Sequence, residues 1–179
     1  MDTFDLYKDI QCRTNGEIYL GVVGPVRSGK STFIKRFMDV LVLPKMTDEH
    51  AKERTVDELP QSASGKSIMT TEPKFIPEKA VKLELSGGGS FKARLIDCVG
   101  YMVDGAAGQF EDGAERLVTT PWFDHEIPFV EAASIGTEKV IRDHATIGIV
   151  VTTDGSIGDL PRENYVNAEE QTVQELEEI

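Results

Sequence analysis

The segment Gly24-Pro25-Val26-Arg27-Ser28-Gly29-Lys30-Ser31 constrains this chain more than any other. It follows Ile18-Tyr19-Leu20-Gly21-Val22-Val23, a run nearly all apolar and β-prone, as a strand covered on both faces requires. After it, Phe33, Ile34, Phe37, Val40 and Leu41 recur at helical spacing until Pro44 stops the pattern. A glycine-rich turn reading G-x-x-x-x-G-K-S between a buried strand and a helix forms a P-loop, the phosphate cradle of nucleoside triphosphatases. Nucleotide is therefore expected along Gly24, Pro25, Val26, Arg27, Ser28, Gly29, Lys30, Ser31 and Thr32. There the loop amides and the helix N-terminus enclose phosphates, Lys30 reaches the β- and γ-phosphates, and the Ser31 hydroxyl ligates Mg²⁺.

Two further motifs complete that chemistry. Arg94-Leu95-Ile96-Asp97-Cys98-Val99-Gly100 is an apolar strand ending in D-x-x-G, which sets a carboxylate at the sheet edge where α/β folds bind ligands. Asp97 is expected to hold Mg²⁺ through water, with the Gly100 N–H facing the γ-phosphate. Upstream, Met69-Thr70-Thr71-Glu72-Pro73 closes a long polar stretch, where Thr70 or Thr71 can complete the metal shell and sense the γ-phosphate, as switch loops do. The same residues can instead begin an extended segment before Pro73.

Composition narrows the partners. With 31 acidic against 19 basic residues and a net charge of −12, the chain offers no broad basic surface for nucleic acid. A polyphosphate stays compatible, because backbone amides, one lysine and a metal ion neutralise it locally. Cys12 and Cys98 are far apart and lack metal-ligand spacing, which fits a reducing compartment and points to the cytosol. Met1 to Lys8 contains Asp2 and Asp5 with no apolar core of a signal peptide, and no run of about 18 apolar residues occurs, so neither export nor a membrane span is expected. Cys98 reads as a small buried residue rather than a nucleophile. His50, His125 and His144 have no metal spacing, and Asp154-Gly155 reads as a turn.

The expected fold is α/β: a mostly parallel sheet with one antiparallel hairpin strand and helices on both faces. Residues 1–17 form a short amphipathic start and 18–179 the nucleotide domain. Lys45 to Pro77 reads as a long loop. Val81 to Leu85 and Phe91 to Ile96, joined by Ser86-Gly87-Gly88-Gly89-Ser90, read as strands that, if they pair across so short a connection, must do so antiparallel. Tyr101 to Phe129 is either an ordered insertion or a switch loop. Helical spacing returns near Glu131 to His144, Ile147 to Val151 is another strand, and Tyr165 to Ile179 an acidic helix. An ordinary P-loop fold continues with further strands, so the core is expected to be incomplete here.

P-loop, threonine pair, hairpin and D-x-x-G in this order resemble the translation-factor class of P-loop GTPases. More specifically, the chain resembles the stage IV sporulation protein A family of spore-coat morphogenetic ATPases from endospore-forming bacteria. Tyr19 to Gly24, Arg27 to Phe37, Asp57 to Ala63, Met69 to Phe75, Asp97 to Tyr101, Thr120-Pro121-Trp122 and Thr152 to Gly155 carry this likeness. The resemblance implies the N-terminal nucleotide domain of a longer protein that hydrolyses ATP with Mg²⁺. It further implies self-assembly into a layer on the outer forespore membrane, in the mother-cell cytoplasm, peripheral to the membrane, anchored by a small amphipathic membrane protein and recruiting spore-coat proteins. Lys30, Ser31, Thr70, Thr71 and Asp97 match the family's Mg²⁺–phosphate positions.

Tyr101 stands where many GTPases carry a glutamine that orients the attacking water. At Arg27 several GTPases of this class carry an asparagine that holds K⁺. An inward guanidinium would supply that charge itself, whereas an outward one meets solvent or an acid of the long loops. An assembly-coupled ATPase, a regulatory GTPase and a nucleotide-binding module without turnover all remain open at the level of residues. The resemblance favours the first.

Overall fold

The computed structural model describes residues 14–60, 71–84, 90–156, 158 and 160–178. Its first strand, β1 (Glu17–Val23), runs into the phosphate loop, and α1 (Lys30–Phe37) leaves it. Then come α2 (Glu49–Glu58), β2 (Lys74–Glu84) and β3 (Ser90–Asp97). Four short strands follow, β4 (Phe110–Glu111), β5 (Ala114–Glu115), β6 (Leu117–Val118) and β7 (Ile127–Pro128), then α3 (Phe129–Lys139), β8 (Ile147–Val150) and α4 (Val166–Glu177).

The main sheet has the order β2-β3-β1-β8. β1 pairs parallel with both β3 and β8, and β2 pairs antiparallel with β3. This is the expected mixed sheet, compatible with a P-loop nucleotide-binding fold. Because side chains alternate across a strand, Val22 and Leu95 enter one core with Ile34, Met38, Val42 and Leu59. Their neighbours Val23 and Ile96 enter the other with Tyr101, Val140, Ile141, Tyr165 and Ala168. Helices thus cover both faces, α1 on one and α3 with α4 on the other.

Three expectations about elements are corrected. Lys45 to Pro77 is not one loop: it contains α2, whose N-terminus is capped by the Asp48 carboxylate accepting from the His50 and Ala51 amides at 3.0 and 3.2 Å. It also contains the start of β2, which begins at Lys74 and passes Pro77 by shifting register between Ile76 and Val81. The third correction concerns the helix after the phosphate loop. It continues as a π-turn over Met38–Val42, and the extra residue in that turn rotates the apolar face. Met38 and Val42 are buried, while Val40 and Leu41 stand 64% and 45% exposed. Burying each of Ile34, Met38 and Val42 is worth about 1.5–3 kcal/mol, which outweighs the poorer hydrogen bonds of a single π-turn.

The segment 101–129 is ordered into two small ladders, β4 with β5 and β6 with β7. β8 lies at the edge of the sheet, with Ile147 41% exposed. Met1 to Arg13, Thr70, Leu85 and the Ser86 to Gly89 turn fall outside the described residues, as do the sequence readings made there.

Candidate functional site

β1 delivers the chain to Gly24, whose φ of +138° turns the backbone at a point where any Cβ would meet the Val151 carbonyl. Arg27 also adopts a left-handed conformation, with φ +60°, and Gly29 another at +101° before α1 begins. The Val26 N–H donates to the Tyr101 carbonyl at 2.8 Å, so the loop is pinned from below by the segment following β3. The first amides of α1 have no carbonyl within the helix to bond, and they open toward the loop as donors.

Inside this loop Lys30 is 4% exposed. Its Nζ donates to the Pro25 carbonyl at 2.6 Å and to the Gly24 carbonyl at 3.3 Å. Burial pushes its pKa down, opposed by ionisable Cys98 and Asp97 nearby, of which Cys98 counts only where its thiol ionises. At the second residue of α1 the Ser31 hydroxyl donates to Asp97 Oδ2 at 3.0 Å. The other oxygen, Asp97 Oδ1, is buried without a partner. Burial raises the Asp97 pKa, and Lys30 and the Ser31 hydrogen bond only partly offset it. Cation and carboxylate are each held with their charges incompletely met. The pair is suited to a ligand carrying an anion for Lys30 and a hard cation for Asp97 and Ser31. Oxygen donors at a hydroxyl and an orphaned carboxylate oxygen fit Mg²⁺, which keeps several waters of its own.

Gly100 has φ +94°, and its backbone lies against the Gly24 carbonyl and the Lys30 ammonium, so a Cβ would collide with both. Its N–H, expected to face the γ-phosphate, donates instead to the Thr137 hydroxyl at 3.1 Å. Thr71 is 4% exposed and packs its carbonyl against Gly136 of α3. Arg27 is exposed at the outer turn of the loop, and Thr32 is exposed beside Ser31 in a cleft bounded by Lys35, Arg36, Asp39 and Pro60. The Cys98 thiol is buried and pushed upward in pKa by that burial, unsuited to act as a thiolate. His50, His125 and His144 are all exposed.

The structure therefore brings Lys30, Ser31, Asp97 and Gly100 together around one loop. A family model described as the ATPase domain of stage IV sporulation protein A matches residues 1–179. The chain belongs to the stage IV sporulation protein A family. Relatives of that name from Bacillus subtilis (strain 168) and Bacillus anthracis are each 55% identical over 179 residues, 100% of this chain and 36% of theirs. One from Clostridioides difficile (strain 630) is 55% identical over 175 residues, 98% of this chain and 36% of its own. The chain spans about a third of the length of these curated relatives. No solved structure matches it.

In this family member, two features escape the sequence. Tyr101 points inward: it is 2% exposed, and its hydroxyl is buried without a partner. Burial, then the charges of Glu175 and Glu138, push its pKa well above the ordinary value. It occupies the place of the water-orienting glutamine only in sequence, and its side chain belongs to the core. The second feature is Thr137, whose mid-helix position carries no signal, since a threonine there reads as an ordinary helix residue. Gly136 beside it is a helical glycine, the one local hint of a close approach.

Proposed function

We propose that this chain binds Mg²⁺–ATP and hydrolyses its terminal phosphoanhydride bond. The observation that carries this reading is the Lys30 ammonium, buried within the phosphate loop on its carbonyls and adjacent to the Ser31–Asp97 pair. Without a ligand, that arrangement leaves a buried cation on neutral acceptors and a buried carboxylate oxygen with none, and a metal–triphosphate satisfies both. ATP rather than GTP is supported by the description of the matching family as an ATPase domain.

In this reading the loop amides and Lys30 hold the phosphates, and Ser31 and Asp97 hold the metal. Bound Mg²⁺ supplies Lewis-acid neutralisation of charge developing on the phosphate oxygens. Thr71 and Thr70 belong to the segment that senses the γ-phosphate, and Arg27 stands where an arginine can add positive charge. Family membership further supports coupling of hydrolysis to self-association of the longer protein into a spore-coat layer at the forespore surface, with a membrane-anchoring protein and coat proteins as partners. Among the described residues no helix is long and apolar enough to cross a membrane.

The test is Lys30→Ala in the intact protein. Nothing else buried in the loop offsets phosphate charge, so calorimetry is expected to show ATP affinity falling at least about a hundredfold. Unchanged affinity refutes the reading. Phosphate release from GTP exceeding that from ATP in the unmodified protein overturns the choice of base.

A further inference from the structure

α3 makes two contacts at consecutive residues that together bear on the terminal phosphate. The Thr137 hydroxyl, fully buried, accepts the Gly100 N–H at 3.1 Å while donating its own proton to the Ala133 carbonyl at 2.8 Å. One residue earlier, Gly136 lies so close to the Thr71 carbonyl that a Cβ would approach it to 2.5 Å. The Gly100 N–H is read as facing the γ-phosphate and Thr71 is one of the two threonines read as its sensor, and both residues rest on the same turn of one helix.

We propose that Thr137 is a positioning residue that holds the Gly100 N–H in the absence of a terminal phosphate and yields it when a triphosphate is bound. This rests on the ATP-hydrolysing reading above. A hydroxyl has one proton and two acceptor lone pairs, and the Thr137 proton is committed to Ala133, so Gly100 uses only its neutral acceptor capacity. A phosphate oxygen is a charged acceptor and forms the stronger hydrogen bond.

Thr137 loses little on release, because its bond to Ala133 keeps the hydroxyl satisfied in the helix. Gly100 in contrast needs one acceptor or the other, since a buried N–H left without either is costly. Gly100 sits so near the Lys30 ammonium, the group that meets the phosphates, that a Cβ would come within 2.5 Å of it, and a glycine at positive φ turns its peptide without a Cβ obstructing it. Loss of the terminal phosphate therefore returns the N–H to Thr137.

The experiment compares Thr137→Val, which keeps the shape and removes the hydroxyl, with Thr137→Ser, which keeps the hydroxyl. Affinities for Mg²⁺-bound ADP and for a non-hydrolysable ATP analogue are measured by calorimetry on the intact protein. In Thr137→Val the free and ADP states lose the acceptor for Gly100 and the triphosphate state does not. The triphosphate-to-ADP affinity ratio is expected to rise about fivefold or more. Thr137→Ser is expected to keep the ratio of the unmodified protein.

An unchanged ratio in Thr137→Val, or an equal change in Thr137→Ser, overturns the proposal while the ATP-hydrolysing reading stands. Absence of nucleotide binding by the unmodified protein overturns that reading and the proposal with it. If Thr137→Val does not fold, the amide resonance of Gly100 in the unmodified protein decides. It is expected to shift with the triphosphate analogue and stay in place with ADP, and the same position with both overturns the proposal.

Discussion

Lys30 is an ammonium shut away from water, and its protonation is where the residue scale becomes measurable. Its pKa lies below the ordinary lysine value of 10.5 because burial penalises the charge. Between the lowered value and 10.5 the unfolded chain binds more protons than the folded one, so this residue makes stability rise with pH across that window. Bound phosphate reverses the balance by favouring the ammonium. ATP binding is therefore expected to take up protons in alkaline solution and to weaken as pH rises through the lowered pKa. Calorimetry in two buffers of different ionisation enthalpy measures this; no proton uptake at any alkaline pH contradicts it.

Arg27 belongs to the same scale. Its exposed guanidinium sits on a residue with φ +60°, where residues other than glycine are uncommon. In this structure the side chain is exposed, the outward arrangement, so a role toward the nucleotide requires the guanidinium to turn inward when a triphosphate binds. Arg27→Ala is expected to cut turnover by about 10³-fold with only a modest loss of ATP affinity, and hydrolysis by the unmodified protein should not change when Na⁺ replaces K⁺. Full activity in Arg27→Ala, or strong K⁺ stimulation, removes the role.

At the scale of elements, α3 is the support for the segment carrying Thr71. In an isolated helix, Gly136→Ala would be stabilising by about 1 kcal/mol. Here the added Cβ would stand 2.5 Å from the Thr71 carbonyl and 3.3 Å from Trp122, so the Thr71 segment must move away from the helix. Gly136→Ala is expected to melt near the unmodified protein and to bind ATP within a few-fold of it. Hydrolysis should drop about tenfold or more, because displacement of a sensing group by part of an ångström is costly in the transition state. Normal phosphate release from a folded Gly136→Ala protein shows that Thr71 does not need this support.

α2 is instructive for the opposite reason. Its composition, Glu49 to Glu58, is rich in helix formers behind an Asp48 cap, but Thr55 is its only buried residue. A helix that buries so little leaves no apolar stripe to read, which is why the stretch reads as loop.

Across the whole molecule, the core on the α3 and α4 side reaches the phosphate loop. Tyr165 is 1% exposed and shares that core with Val26 of the loop, Tyr101, Val140 and Ala168. Arg142 ties α4 to the end of α3 through Glu175 and Glu178 at 2.7 Å each, but these groups are too exposed for the ties to contribute much. Stability rests on the apolar contacts instead. Tyr165→Ala is expected to lower unfolding free energy by about 3–5 kcal/mol, read from the urea midpoint, with ATP affinity reduced by loosening of the loop. A midpoint unchanged within error contradicts the role given to this core.

The sequence alone determined the strand–loop–helix with Lys30 and Ser31, the carboxylate of Asp97 at the end of a strand, and the antiparallel pairing of β2 with β3. Each depends on residues near one another in the chain, through side-chain period, loop length or the phosphate-binding pattern. The π-turn that exchanges Val40 and Leu41 for Met38 and Val42 was decided by the demand of the opposing sheet face for buried volume. The turn of Tyr101 into the core, and the meeting of Gly100 and Thr71 with Thr137 and Gly136, depend on α3 packing on the sheet. Those contacts join residues 37 and 65 positions apart, and no local pattern encodes a hydrogen bond or close approach made across such a separation.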